Sequence, residues 1–270
     1  MPYKIKEVDG MKIVVIEEFQ ETDLVKHGFS TRIGGVSEGI FNTLNLGLKT
    51  KDDREKVLKN IQNFCKAIGV KHENLVLGDQ VHSDGIKIAN KEDKGKGILY
   101  EKDYRDIDGL ITQDIGVPLM TFHADCVPLL FLDPVNKGIA ASHAGWQGTM
   151  LKIGQKTIIK MMEEFNSQPK DILVGIGPSI GKCCYEVSGD VIEKFNMNFT
   201  ETSEFVFPTA EDKYMLDLWE VNRIALKEIG VLDRNIITSR LCTACDTDLF
   251  YSHRKKKGLT GRMASVIELV

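Results

Sequence analysis

The sequence predicts an α+β fold, a single domain with mixed β-sheets between helical layers. Three observations carry this reading. Short apolar segments bounded by Gly, Asp or Pro outnumber segments of helical period about three to one. The two kinds do not alternate as regular βαβ units, which disfavours a doubly wound parallel sheet. No internal repeat, low-complexity tract or Pro/Gly/Ser linker divides the chain, so residues 1–270 read as one domain.

In chain order, strands are expected at 12–16, 75–77, 86–89, 110–112, 119–122, 129–132, 139–142, 172–176, 236–238 and 264–269, each a short run rich in β-branched or large apolar residues. A helix is expected from about Asp52 to Ile68. There Val57, Ile61, Phe64, Cys65 and Ile68 recur at three- and four-residue steps behind an Asp52/Glu55 capping box. A second helix follows Gly148-Thr149 with Ile153, Ile159, Met162 and Phe165 inward, and a third runs from Asp217 to Ile229 through Leu218, Val221 and Ala225. Residues 27–37, with a flexible double glycine at Gly34-Gly35, read as a polar loop of the kind that lines clefts.

Charge and hydropathy narrow the partners. With 35 Lys and Arg against 39 Asp and Glu, the net charge of −4 gives no general attraction to nucleic acid or anionic lipid. The longest apolar stretch, 117–132, is broken by His123, Asp125 and two prolines and falls short of a bilayer span. The first residues lack the apolar block of a signal peptide, so a cytoplasmic location is expected, with no membrane segment and no obligatory protein partner. Six cysteines are too sparse for a disulfide scaffold and point to buried, metal-bound or catalytic thiols.

Three segments place a metal-capable side chain beside turn residues at strand ends: Gly78-Asp-Gln-Val-His82, Phe122-His-Ala-Asp-Cys126 and Ser142-His-Ala-Gly-Trp146. Strand ends on one side of a sheet bring distant residues together, so His82, Cys126 and His143 can supply two imidazoles and a thiolate. Three ligands leave Zn²⁺ a position for water or substrate. The same residues also fit two ordinary hydrogen-bonded histidines and a small buried thiol. Asp125 tilts the balance, because a carboxylate inside an apolar run is costly unless it is paired or hydrogen-bonded. His123 shares a strand face with Asp125 rather than Cys126, which suits support rather than ligation.

Other motifs are less specific. Cys183-Cys184 with Cys242-Thr-Ala-Cys245 could supply four thiolates to a structural ion, but adjacent cysteines point different ways and seldom chelate one ion together. Gly175-Ile-Gly-Pro-Ser-Ile-Gly181 fails as a dinucleotide loop, because its last glycine is one residue late and Pro178 removes a donor. A tight glycine turn or a backbone anion nest remains. In the run Arg254-Lys-Lys-Lys257, Arg254 beside Tyr251-Ser-His253 is the candidate for phosphate or carboxylate.

Taken together, His27-Gly-Phe-Ser-Thr-Arg32, Gly34-Gly-Val-Ser37, Leu44-Asn-Leu-Gly47, Gln80-Val-His82, Asp108-Gly109, Ala124-Asp-Cys-Val-Pro128, His143-Ala-Gly-Trp-Gln-Gly-Thr149, Gly177-Pro-Ser-Ile-Gly-Lys-Cys-Cys-Tyr185, Cys242-Thr243, Tyr251-Ser-His-Arg254 and Thr260-Gly-Arg-Met263 closely resemble the YfiH-like family. The motifs stand in family order over nearly the whole chain. The resemblance implies a single α+β domain and a zinc ion on His82, Cys126 and His143. It also implies one of three activities described for the family: purine nucleoside phosphorylase with adenosine deaminase activity, polyphenol oxidase (laccase), or peptidoglycan editing.

The expected function is therefore a zinc-dependent purine nucleoside enzyme that phosphorolyses adenosine, inosine and S-methyl-5′-thioadenosine and deaminates adenosine. Asp125 is the candidate proton carrier, and Cys242 a candidate nucleophile, proton donor or pocket wall. Ser30, Arg32, Asn45 and Arg254 are substrate-binding candidates, with Arg32 or Arg254 positioning phosphate. A peptidoglycan-precursor amidohydrolase is the alternative. A lone His₂Cys copper centre is thinkable, but a laccase needs far more imidazoles than the six histidines here. A non-catalytic zinc protein would close its ion with four protein ligands.

Overall fold

Strands that are apolar on both faces need cover on both faces. The structure, a computed structural model, describes residues 3–270. Every residue of strand Val127–Asp133 is buried. Val127, Leu129 and Phe131 enter one apolar cluster, while Leu130 and Leu132 enter another, as the period of two requires. Strand Met263–Leu269 divides in the same way, with Met263 and Ile267 to one side and Ala264 and Val266 to the other.

Two six-stranded sheets result. One runs in the order Tyr3–Val8, Met11–Ile16, Val25–Ser30, Met263–Leu269, Leu119–His123, Val76–Leu77. The other runs Ile236–Thr238, Leu173–Ile176, Val127–Asp133, Gly138–Ala144, Gly109–Thr112, Ile86–Ile88. Both are mixed, since the Val76, Ile86 and Ile236 strands pair parallel and the rest antiparallel. They share the cluster of Phe29, Leu119, Leu130 and Ile139. Helix Arg54–Ala67 covers the outer face of the first sheet, and helices Ile153–Phe165 and Leu218–Glu228 cover the second. Mixed sheets between helical layers are thus the observed architecture.

Each expected strand forms, with its ends shifted by two residues at most. The helices differ in detail. Asp53, not Asp52, caps the first helix by accepting from the Glu55 N–H at 2.8 Å. The Asp52 carboxylate instead accepts from Ser37 Oγ and Asn45 Nδ2. In the second helix Ile158 and Met161 face inward while Ile159 and Met162 are exposed. Ile153 and Phe165 are buried as expected, so only the two middle positions of the stripe differ, by one residue each.

Residues 27–37 are not one loop: His27 to Ser30 end a buried strand. Gly35 is packed rather than flexible, because a Cβ there would lie 2.3 Å from the Thr43 carbonyl. At Gly177 a Cβ would lie 2.2 Å from the Phe29 ring, so this glycine serves close packing between the sheets. Elements without a sequence expectation include strands Tyr3–Val8 and Val25–Ser30, helices Glu17–Gln20, Trp146–Met150 and Gly189–Asn196, and a three-stranded sheet of Glu186–Ser188, Lys213–Leu216 and Val206–Ala210. Among the described residues, no helix is long and apolar enough to cross a membrane.

Candidate metal centre

The chain leaves the first sheet at His123 and enters the second at Val127. Asp125 and Cys126 therefore sit at the crossing. Asp125 holds a left-handed backbone, φ 80°, secured by side-chain bonds to three residues on two segments of chain. One carboxylate oxygen accepts from Thr243 Oγ1 at 2.7 Å; the other accepts from Ser252 Oγ and from the Arg254 N–H at 2.6 Å. The Ile180 N–H also donates to the Asp125 carbonyl. The register of the neighbouring strand pairs His143 with Pro128, which brings its imidazole beside Cys126.

His82 arrives on the loop after Val76–Leu77, again with positive φ. Gln80 fixes that loop to the end of strand Leu119–His123: its Nε2 donates to the Phe122 carbonyl and its Oε1 accepts from the Phe122 N–H, both at 2.7 Å. Asp108, one per cent exposed, holds both histidines. Its carboxylate accepts from the N–H groups of Val81, His82 and Ser83, from Ser83 Oγ, and from His143 Nδ1 at 2.8 Å. The bond at Nδ1 leaves His143 Nε2 free to ligate, the usual arrangement for a metal histidine.

The donor atoms of His82, Cys126 and His143 lie within 4.8 Å of one another, and Cys126 Sγ is 3.8 Å from His82 Nε2. Burial alone would push the Cys126 thiol up, but the His143 and His82 imidazoles bring it below its ordinary value. The thiolate, the ligating form, is favoured. Cys126 and Asp108 outweigh the burial that opposes protonation of His143, so without an ion the pair is favoured as imidazolium and thiolate, and ligation would release the Nε2 proton. Gly145 keeps the space open, since a Cβ there would lie 2.7 Å from His82 Cδ2 and 3.2 Å from Cys126 Sγ. Nitrogen, nitrogen and sulfur at this spacing, with an oriented imidazole, fit a zinc-class ion.

The three donors line a cavity of about 980 Å³. His123, Tyr185, Lys213, Arg254 and Arg262 share its wall. Neither nitrogen of the His123 ring has a hydrogen-bond partner, and burial lowers its pKa to about 3, which keeps it neutral. Arg254 donates to the Glu186 carbonyl and stacks over Tyr185 at 4.9 Å. Arg262 donates to the carbonyls of Thr260 and Gly261. Neither guanidinium has a carboxylate partner among the described residues.

A family model described as multi-copper polyphenol oxidoreductase laccase matches residues 26–270. This chain belongs to that family, the YfiH-like proteins. Purine nucleoside phosphorylase YlmD of Bacillus subtilis (strain 168) is 38% identical over 89% of this chain and 87% of its own. Its namesake in Geobacillus stearothermophilus is 37% identical over 89% and 88%. A crystal structure of the Bacillus licheniformis hypothetical protein YfiH superposes with TM-score 0.93 at 36% identity, covering 100% of this chain and 99% of that one.

Within this YfiH-like chain the other expected site residues separate. Asp125 and Arg254 line the cavity with the metal-capable cluster. Asp125, the expected proton carrier, accepts three hydrogen bonds that tie together the segments around it. Ser30 is buried and accepts from the Ala264 N–H. Asn45 is buried and bridges Thr50, Asp52, Gly47 and Arg262. Arg32 is spent on the carbonyls of Asn42 and Thr247 and lies over Tyr251. None of these three is on the cavity wall. Cys242 is also away from it, among three other cysteines. Asp108 and Arg262 went unassigned as site residues, although both stand in motifs of the family resemblance.

Proposed function

We propose that the chain is a purine nucleoside phosphorylase that cleaves adenosine, inosine and S-methyl-5′-thioadenosine with phosphate, and deaminates adenosine in the same pocket. The carrying observation is a cluster of three protein donors, not four, on the wall of a cavity large enough to hold a nucleoside and phosphate together. A closed structural tetrahedron needs a fourth protein ligand. The names of relatives 38% and 37% identical support the same reaction class.

His82, Cys126 and His143 would hold zinc, which when bound supplies Lewis acidity at its remaining position. Asp108 fixes the His143 tautomer. Phosphorolysis needs an oxyanion held near the sugar C1′ while positive charge grows on the ribose. Arg254 and Arg262 are suited to that anion, with guanidinium forks free of carboxylates. Arg32 no longer is. Asp125 acts as a positioning residue, holding the Arg254 backbone and the Cys126 turn. His123 stands beside the cavity as a buried, neutral imidazole. The donor set does not favour a multicopper oxidase: His27 accepts from the Ile16 N–H inside the core, and His72 pairs with Glu73.

The test is product analysis with each nucleoside, with and without phosphate, beside a panel of peptidoglycan precursors. The proposal expects phosphate-dependent release of base and pentose 1-phosphate. Turnover of a precursor but of no nucleoside would replace it with the amidohydrolase reading.

A further inference from the structure

Four of the six cysteines converge at a point that the proposed reaction does not use. The sulfurs of Cys183, Cys184, Cys242 and Cys245 all lie within 4.8 Å of one another. Cys245 Sγ is 3.4 Å from Cys183 Sγ and 3.5 Å from Cys184 Sγ. Four sulfurs placed tetrahedrally at about 2.3 Å from a zinc ion stand about 3.8 Å apart. The cluster therefore needs only small adjustments to become a ligand shell.

The objection that adjacent cysteines point apart fails on local geometry. A tight turn, closed by the Cys184 N–H donating to the Gly181 carbonyl at 3.0 Å, carries both sulfurs to Cys245. The backbone holds the two segments together without help from the thiols. Ser179 and Cys242 form an isolated parallel bridge, with the Ser179 N–H donating to the Leu241 carbonyl and the Thr243 N–H to the Ser179 carbonyl. The Gly181 N–H donates to Cys242 Sγ at 3.2 Å, a bond that favours a thiolate acceptor.

We propose that Cys183, Cys184, Cys242 and Cys245 form a second, closed metal site, an all-thiolate structural centre for a tetrahedral zinc-class ion. Four sulfurs in this arrangement select zinc or iron over hard cations, and no position is left for a reactant. The site staples the segment bearing Ile180 and Tyr185 to the one bearing Thr243 and Arg254. Both segments wall the large cavity or hold Asp125. The inference does not depend on which reaction the cavity performs.

A variant combining His82→Ala and Cys126→Ser removes the first centre and isolates the second. Elemental analysis is expected to find about one zinc per chain, and X-ray absorption a sulfur-only shell at about 2.3 Å. Cobalt substitution should give intense thiolate-to-metal bands. In the complementary variant, Cys183→Ser with Cys245→Ser, one equivalent should be lost and the nitrogen-bearing centre kept. If that variant does not fold, the absorption data on the first one decide. A metal-free first variant, a shell containing nitrogen or oxygen, or an unreduced mass two hydrogens lower, which signals a disulfide, would overturn the proposal.

Discussion

Replacing Asp108 by Asn tests the carboxylate that organises the metal centre. One oxygen accepts from the His82 N–H at 3.2 Å and His143 Nδ1 at 2.8 Å; the other accepts from Val81 and Ser83 N–H at 3.0 and 2.8 Å and from Ser83 Oγ. An amide keeps one acceptor oxygen and turns an NH₂ toward the other set. In either orientation at least two donors lose their acceptor. At about 1–3 kcal/mol per orphaned donor, the loss is about 2–6 kcal/mol, shared between fold and site. An NH₂ facing His143 would also favour the tautomer with its proton on Nε2, the wrong one for ligation. Chelator competition should show zinc bound about 10–100-fold more weakly at this centre, with phosphorolysis reduced in parallel. Wild-type affinity in folded Asp108→Asn protein would refute the argument.

Three further outcomes follow from the same geometry. Arg32→Ala should lower the melting temperature without raising the KM for phosphate, whereas Arg254→Ala or Arg262→Ala should raise that KM; phosphate titrations separate them, and the reverse pattern would return phosphate to Arg32. Gly145→Ala should weaken metal retention on dialysis with little effect on melting, because the new methyl meets the His82 ring; retention equal to wild type would show that His82 can yield. Stability should fall with acid through His27, whose Nε2 accepts from the Ile16 N–H and whose pKa burial lowers to about 4. The unfolded imidazole binds its proton near pH 6.5, so stability is full above that value and declines as pH falls toward 4. The loss is about 3 kcal/mol. Denaturant titrations across this range should show a shallower decline in His27→Gln, and an unchanged slope would contradict the assignment.

Much of the layered fold was legible because residues such as Leu129 to Leu132 are apolar on both strand faces, a pattern that demands cover on each side. The exposed three-stranded sheet was not, since Val206–Ala210 carries Pro208 and buries little. Within helix Ile153–Phe165 the ends of the inward stripe were legible, but Ile158 and Met161 take the places expected for Ile159 and Met162, because adjacent apolar pairs such as Ile158-Ile159 fit two faces. Tertiary packing, not period, chooses between them. His82, Cys126 and His143 were legible as reactive side chains at strand ends. Asp108 was not, because its role comes from five donors on loop and strand segments far from it in sequence. Arg32 and Asn45 lie in segments that look like cleft loops, but their polar groups are consumed by neighbouring backbone and side chains. The cysteine cluster was hidden by a local rule, the divergence of adjacent side chains, that the Gly181–Cys184 turn overrides.

The most direct trial of the account pairs metal content with product analysis in wild-type protein and in Cys126→Ser, a change of one atom at the shared ligand. The account predicts that the variant loses the equivalent held by His82 and His143, and with it phosphate-dependent nucleoside cleavage by on the order of a hundredfold or more. Undiminished cleavage in protein lacking that equivalent would contradict it.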